Sequence, residues 1–83
     1  MNIDEQTYEK FQQLYQAEPI IDVDMFFEEN LMAFIELLAP YASEGEDMNK
    51  LTMYMLGQNP EAYQVFMFCL LSLGKIANSV NKS

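Results

Sequence analysis

The sequence predicts an all-α fold, a small bundle of about four short helices, and three observations predict it. Apolar residues recur at helical spacing in every segment. Three prolines cut the chain into four pieces, and each piece opens on a residue suited to starting a helix. No stretch alternates in the manner of a strand over a useful length, and there is no internal repeat.

In the first piece Tyr8, Phe11, Leu14 and Tyr15 share a face, while Glu9, Gln12, Gln13 and Gln16 point away. Asp4 suits its N-cap, with Ile3 and Tyr8 placed to close over the cap, and Pro19 ends it. Asp22 suits the cap of the second piece, which runs to Leu38 and stops before Pro40, because a proline disfavours helix in the residue preceding it. Its core face is Val23, Phe27, Leu31, Phe34 and Leu38. Asn30 falls on that side and needs a hydrogen-bond partner there, for which a loop backbone is the expectation over an asparagine of a second copy. The third piece opens on Ser43-Glu44-Gly45-Glu46, a capping-box pattern, and closes at Gly57, a natural residue to follow a helix. Asn59-Pro60 opens the fourth, a cap followed by proline in the first turn. It reaches at least Leu73, and Gly74 either ends it or lies inside it. The predicted helices therefore lie near 4–17, 22–38, 44–56 and 60–79.

A chain of 83 residues is read as a single acidic helical domain spanning 1–83, with a small core. With 51% apolar and 13% aromatic residues it should fold and not behave as a disordered acidic tail. One cysteine, Cys69, allows no intramolecular disulfide, which favours a reducing compartment. Met1 to Glu5 has neither the basic nor the apolar stretch of a signal peptide. The charge-free run through the apolar centre, Ala62 to Gly74, is 13 residues. A bilayer needs about 20, so no membrane span is expected and a cytoplasmic location is.

Charge narrows the choice of partner. The chain carries −9, and residues 1–47 hold twelve of its thirteen acids against Lys10 alone. Residues 48–83 hold Glu61 against Lys50, Lys75 and Lys82, a slight positive excess. Phosphate backbones and anionic headgroups would be repelled, so direct nucleic-acid and membrane binding are not expected, whereas a basic protein would be attracted.

The residues needed for most chemistry are missing. There is no histidine, arginine or tryptophan, which removes the usual general base near neutral pH and the usual bidentate anion clamp. One cysteine without histidine cannot build a zinc site. Asp22-Val23-Asp24 resembles the start of a calcium loop, but Phe27 stands where that loop requires glycine, and Ala33 where it requires the closing glutamate. Glu28/Glu29 and Glu46/Asp47 are neighbours whose side chains splay apart, and Gly45, Gly57 and Gly74 are too isolated to cradle a phosphate. No enzymatic activity, cofactor or metal is expected. Cys69 lies on the same face as Ala62, Phe66, Leu73 and Ile76 and reads as a buried, inert thiol.

Two surfaces remain as candidates. The outward face of the second helix reads Met25, Glu29, Met32, Glu36, flanked by Asp24 and Glu28. Either the methionines tuck under a neighbouring helix, or they form an adaptable contact patch with an acidic rim. On the second reading the partner-binding residues are Asp22, Asp24, Met25, Glu28, Glu29, Met32 and Glu36, with Glu44, Glu46 and Asp47 as a second acidic patch. The other surface is the fourth helix, where Val65 to Leu71 are apolar without interruption. Either this helix is central to the bundle, or Met67, Phe68 and Leu71 face a second copy in a homodimer. The function expected from these features is a non-catalytic module. It would be an inhibitor or regulator occupying a basic surface of a larger protein, a nucleic-acid-binding surface being one such case, in the manner of phage or mobile-element inhibitors. The alternative is an adaptor, assembly factor or secretion chaperone binding through its apolar last helix.

Overall fold

The computed structural model describes residues 2–17 and 19–82, with side chains through Val80. They form five helices and, among the described residues, no strand. These are α1 (Ile3–Ala17), α2 (Val23–Glu29), α3 (Leu31–Ser43), α4 (Met48–Gln58) and α5 (Pro60–Lys82). The all-α fold class is as the sequence predicts, with one helix more.

The helix starts show which local signals dominate. Asn2, not Asp4, caps α1, its Oδ1 accepting from the Glu5 amide at 2.9 Å. Asp4 lies within the first turn, where its carboxylate accepts from the Tyr41 hydroxyl at 2.7 Å and ties α1 to α3. Asp22 caps α2, accepting from the amides of Asp24 and Met25. Asp47 caps α4, so Ser43 does not start that helix but ends α3, its hydroxyl donating to the Ala39 carbonyl. The exit from α3 runs through Gly45 at φ +69, a left-handed conformation that glycine adopts without penalty. Glu44 and Glu46 therefore stand in an exposed loop and not in a first helical turn.

Three further helix boundaries differ from those the sequence predicts. The predicted second helix is broken at Asn30, whose side-chain amide donates to the Phe26 carbonyl at 2.9 Å. The asparagine finds its partner one turn back, not in a loop. Beyond it, α3 continues through Pro40 to Ser43. A proline inside a helix costs about 3 kcal/mol or more through its missing N–H and its ring clash. Here the extra turn buries Tyr41, 6% exposed, and delivers its hydroxyl to Asp4, which offsets part of that cost. Likewise Gly57 does not stop α4, which runs on to Gln58. Asn59 serves both neighbours: its amide bonds to the Met55 carbonyl, and its side chain accepts from Glu61 and Ala62 to cap α5. Gly74 lies inside α5.

The core is aromatic and centres on Phe11, which is completely buried. Its ring meets Phe66 of α5 at 5.3 Å, Phe26 of α2 at 6.3 Å and Phe34 of α3 at 6.4 Å, all edge-to-face, and stacks on Tyr15 at 6.3 Å. Phe34 meets Phe66 and Phe27 in the same manner. Leu51 and Met55 close the core from α4, and Tyr8 packs edge-on against Tyr54 between α1 and α4. The molecule measures 39 × 33 × 17 Å. A helix with its side chains is about 10 Å across, so a slab this thin leaves every helix a broad outer face.

Burial also sets two titrations. Desolvation pushes the Tyr41 hydroxyl up from 10.0 to about 12; a Thr7 hydrogen bond opposes this, and bonding to Asp4 adds to it. Desolvation alone pushes the Cys69 thiol up from 9.0 to about 11. Both groups lose their protons more readily once unfolded. Their contribution is thus complete below pH 9 and declines as pH rises through the folded values. Urea midpoints followed by ellipticity are expected to fall between pH 9 and 12, and Tyr41→Phe should reduce the part of the fall above pH 10. Phe11→Ala empties the centre of the core and is expected to cost about 3–5 kcal/mol in the same assay.

Candidate partner-binding surface

The α2–α3 kink decides how the first candidate surface is presented. Phe26, Phe27, Leu31, Phe34, Leu37 and Leu38 turn inward, which leaves the acids and methionines between them on the outer side. Asp22, Asp24, Met25, Glu28, Glu29, Met32 and Glu36 are all exposed, Met25 at 56% and Met32 at 68%. The methionines do not tuck under a neighbouring helix. The reason is geometric, since this outer side of the slab has no helix laid across it.

The seven residues do not form one flat patch. Asp22, Met25 and Glu29 line a cleft of about 560 Å³ between the end of α1, the segment 19–22 and α2. Leu14, Phe26 and Ile20 supply its apolar wall, and Ile21 stands beside it 97% exposed. Glu36 lines a separate, smaller groove with Lys10, Gln13 and Leu14 between α1 and α3. Lys10, the one cation of the acidic half, thus shares a groove with an acid of the predicted patch. Asp24, Glu28 and Met32 line neither groove. Sequence reading did not single out the cleft, because its apolar residues come from three segments and Ile20 and Ile21 lie outside any helix.

In the second acidic patch Glu44, Glu46 and Asp47 are all exposed. Asp47 is committed to capping α4, and the charge of Glu46 helps keep Tyr41 protonated. Asp47 and Glu46 therefore have local roles, whereas the Glu44 carboxylate stands exposed in the loop.

On α5 Ala62, Phe66 and Cys69 are fully buried and Tyr63, Val65, Met67, Leu70 and Leu73 pack half-buried against the core, while the opposite side stays exposed, so the helix forms one side of the bundle and is not enclosed at its centre. Met67 is half-buried against the core, whereas Phe68 at 36% and Leu71 at 65% exposed lie opposite it, beside Gln64 and Lys75. The three residues of the expected dimer contact are thus divided: Met67 packs inward and the other two face out. Ile76, expected on the buried face with Cys69, is 44% exposed because α5 outruns the bundle there. Unbroken at Gly74, α5 offers 21 residues, Pro60–Val80, long and apolar enough by length and composition to cross a membrane; a core helix passes the same test. The charge-free run in the sequence is shorter because Glu61 and Lys75 bound it, and both lie inside this helix.

Among the described residues no three His, Cys, Asp or Glu side chains come together as metal ligands. Gln12 Oε1 is buried without a hydrogen-bond partner, while its amide donates to the Tyr8 hydroxyl. Fold and surface thus define a small all-α bundle with an acidic face on α2–α3 and an apolar ridge on α5. Compared with protein-family models, curated protein sequences and solved structures, the chain gives no match in any of the three.

Phe68→Lys with Leu71→Lys tests the α5 ridge. Both side chains already meet solvent, so the doubly substituted chain should keep its helical ellipticity and melt within a few degrees of the parent. Light scattering on the two proteins reports whether the ridge joins two copies: a dimer that becomes a monomer places it at the interface.

Proposed function

We propose that this protein is a non-catalytic binding module whose acidic α2–α3 face occupies a basic surface of a larger cytoplasmic protein, acting there as an inhibitor or regulator. The observation that carries the reading is the exposure of Met25 and Met32 among five exposed carboxylates. Flexible thioethers adapt to an irregular partner surface, and the surrounding acids speed and orient the encounter with a cationic one. The net charge of −9 supports the same reading.

The second reading, an adaptor or assembly factor working through α5, is favoured by Phe68 and Leu71, both exposed on one side of that helix. Salt separates the two. An interface driven by charge weakens steeply as ionic strength rises, and an apolar one hardly changes.

The test is capture from host lysate on the immobilised protein at about 50 and 500 mM salt, a range over which the screening length falls several-fold. The same capture is run with Glu28→Lys/Glu29→Lys and with Phe68→Lys/Leu71→Lys. Exposed helical charges contribute only tenths of a kcal/mol, so the charge reversal should fold normally. It is expected to abolish capture of a basic protein that the parent retains at low salt only. A protein retained equally at both salts, and lost only with the α5 substitutions, would replace this reading by the adaptor one.

A further inference from the structure

We infer that the cleft between α1 and α2 is where the basic partner inserts a short segment carrying an apolar anchor next to a lysine or arginine. This inference rests on the acidic-module reading above and names the chemistry of what that surface receives. At about 560 Å³ the cleft is within the size range of sites that bury a ligand's side chains, and it holds more than one. Leu14, Ile20 and Phe26 give it an apolar wall, and Met25 contributes a thioether that can reshape to the occupant. Ile21, 97% exposed beside this wall, is the most exposed large apolar residue described. An isoleucine held in water in this position gains contact area when a chain enters beside it.

The charge of the lining selects the occupant. Asp22 and Glu29 line the cleft and no lysine does. Asp22 uses Oδ1 to cap α2, accepting from Asp24 and Met25, which fixes its carboxylate in place while its second oxygen can accept from an incoming ammonium or guanidinium. An acidic or neutral segment would meet two uncompensated carboxylates. A purely cationic one would leave the wall of Leu14, Met25 and Phe26 unused. A second copy of the chain is opposed by −9 on each side.

Two fluorescein-labelled 12-residue peptides serve as probes, one alternating lysine with leucine and one alternating lysine with serine. Binding is read by anisotropy at low salt, and position by methyl and amide shifts in NMR spectra of the full chain. The lysine–leucine peptide is expected to bind, to shift the Leu14, Ile21 and Met25 methyls, and to bind at least tenfold tighter than the lysine–serine peptide. Ile21→Ser/Met25→Ser removes apolar wall without altering charge. Both side chains are exposed, so the fold should persist, checked by ellipticity. It should weaken the lysine–leucine peptide about tenfold, some 1.4 kcal/mol, and leave the lysine–serine peptide unchanged. Asp22→Asn/Glu29→Gln should weaken both.

Equal affinity for the two peptides, or unchanged lysine–leucine binding to folded Ile21→Ser/Met25→Ser, overturns the inference. So do shifts confined to α5, or shifts at the cleft that grow with protein concentration alone, which would make a second copy the occupant. These failures leave the acidic-module reading intact as long as Glu28→Lys, outside the cleft, still reduces low-salt capture of the basic protein. Loss of that effect sinks both.

Discussion

Everything in this molecule is arranged around one ring. Phe11 brings α1 into edge-to-face contact with α2, α3 and α5 together, at centroid distances of 5.3 to 6.4 Å. Such pairs contribute about 0.5–1.5 kcal/mol each beyond the area they bury. In a chain this small, where total stability is of order 5–15 kcal/mol, that is a large share. The geometry matters as much as the energy. Rings meeting edge-on fix the angles between the helices that carry them, so the position of α2, and of every carboxylate on it, follows from the seating of Phe26, Phe27 and Phe34.

That aromatic centre is compact, and the helices around it form a layer 17 Å thick. A thin bundle cannot enclose all of its apolar residues. The consequence is visible on two sides: methionines stand among acids on α2 and α3, while Phe68 and Leu71 stand on the far side of α5. The two surfaces differ in kind. On α2–α3 the apolar groups stand among carboxylates, with Lys10 beside Glu36 as a neighbouring cation. On α5 the neighbours are Gln64 and Lys75, so contact there would rest on apolar area.

Local hydrogen bonding also constrains which acids are free to meet a partner. Asp4 is held by Tyr41, and Asp22 and Asp47 cap helices. Glu28 and Glu36, on the exposed flanks of α2 and α3, have no comparable structural duty in the fold. Glu28 and Glu36 thus keep both carboxylate oxygens for other contacts, whereas Asp22 and Asp47 keep one, because helix starts recruit carboxylates for their own unpaired amides.

The sequence by itself determined the helical class, the caps at Asp22 and Asn59, the inward Phe11, Phe27, Phe34, Phe66 and Cys69, and the exposure of the α2–α3 acids. Each of these depends on spacing and local hydrogen bonding within a turn or two, which a sequence displays directly. Tertiary structure decided the rest. It carried α3 through Pro40, where burying Tyr41 against Asp4 offsets part of a local cost that sequence reading must treat as a stop. It broke the second helix at Asn30, where the side chain competes for the Phe26 carbonyl and the chain bends to seat its phenylalanines. It kept Met25 and Met32 in water, and it assembled the cleft from Leu14, Ile20, Asp22 and Glu29. Those outcomes depend on which helix lies over which, and that is settled by how the rings around Phe11 pack, a long-range contest that no local pattern records.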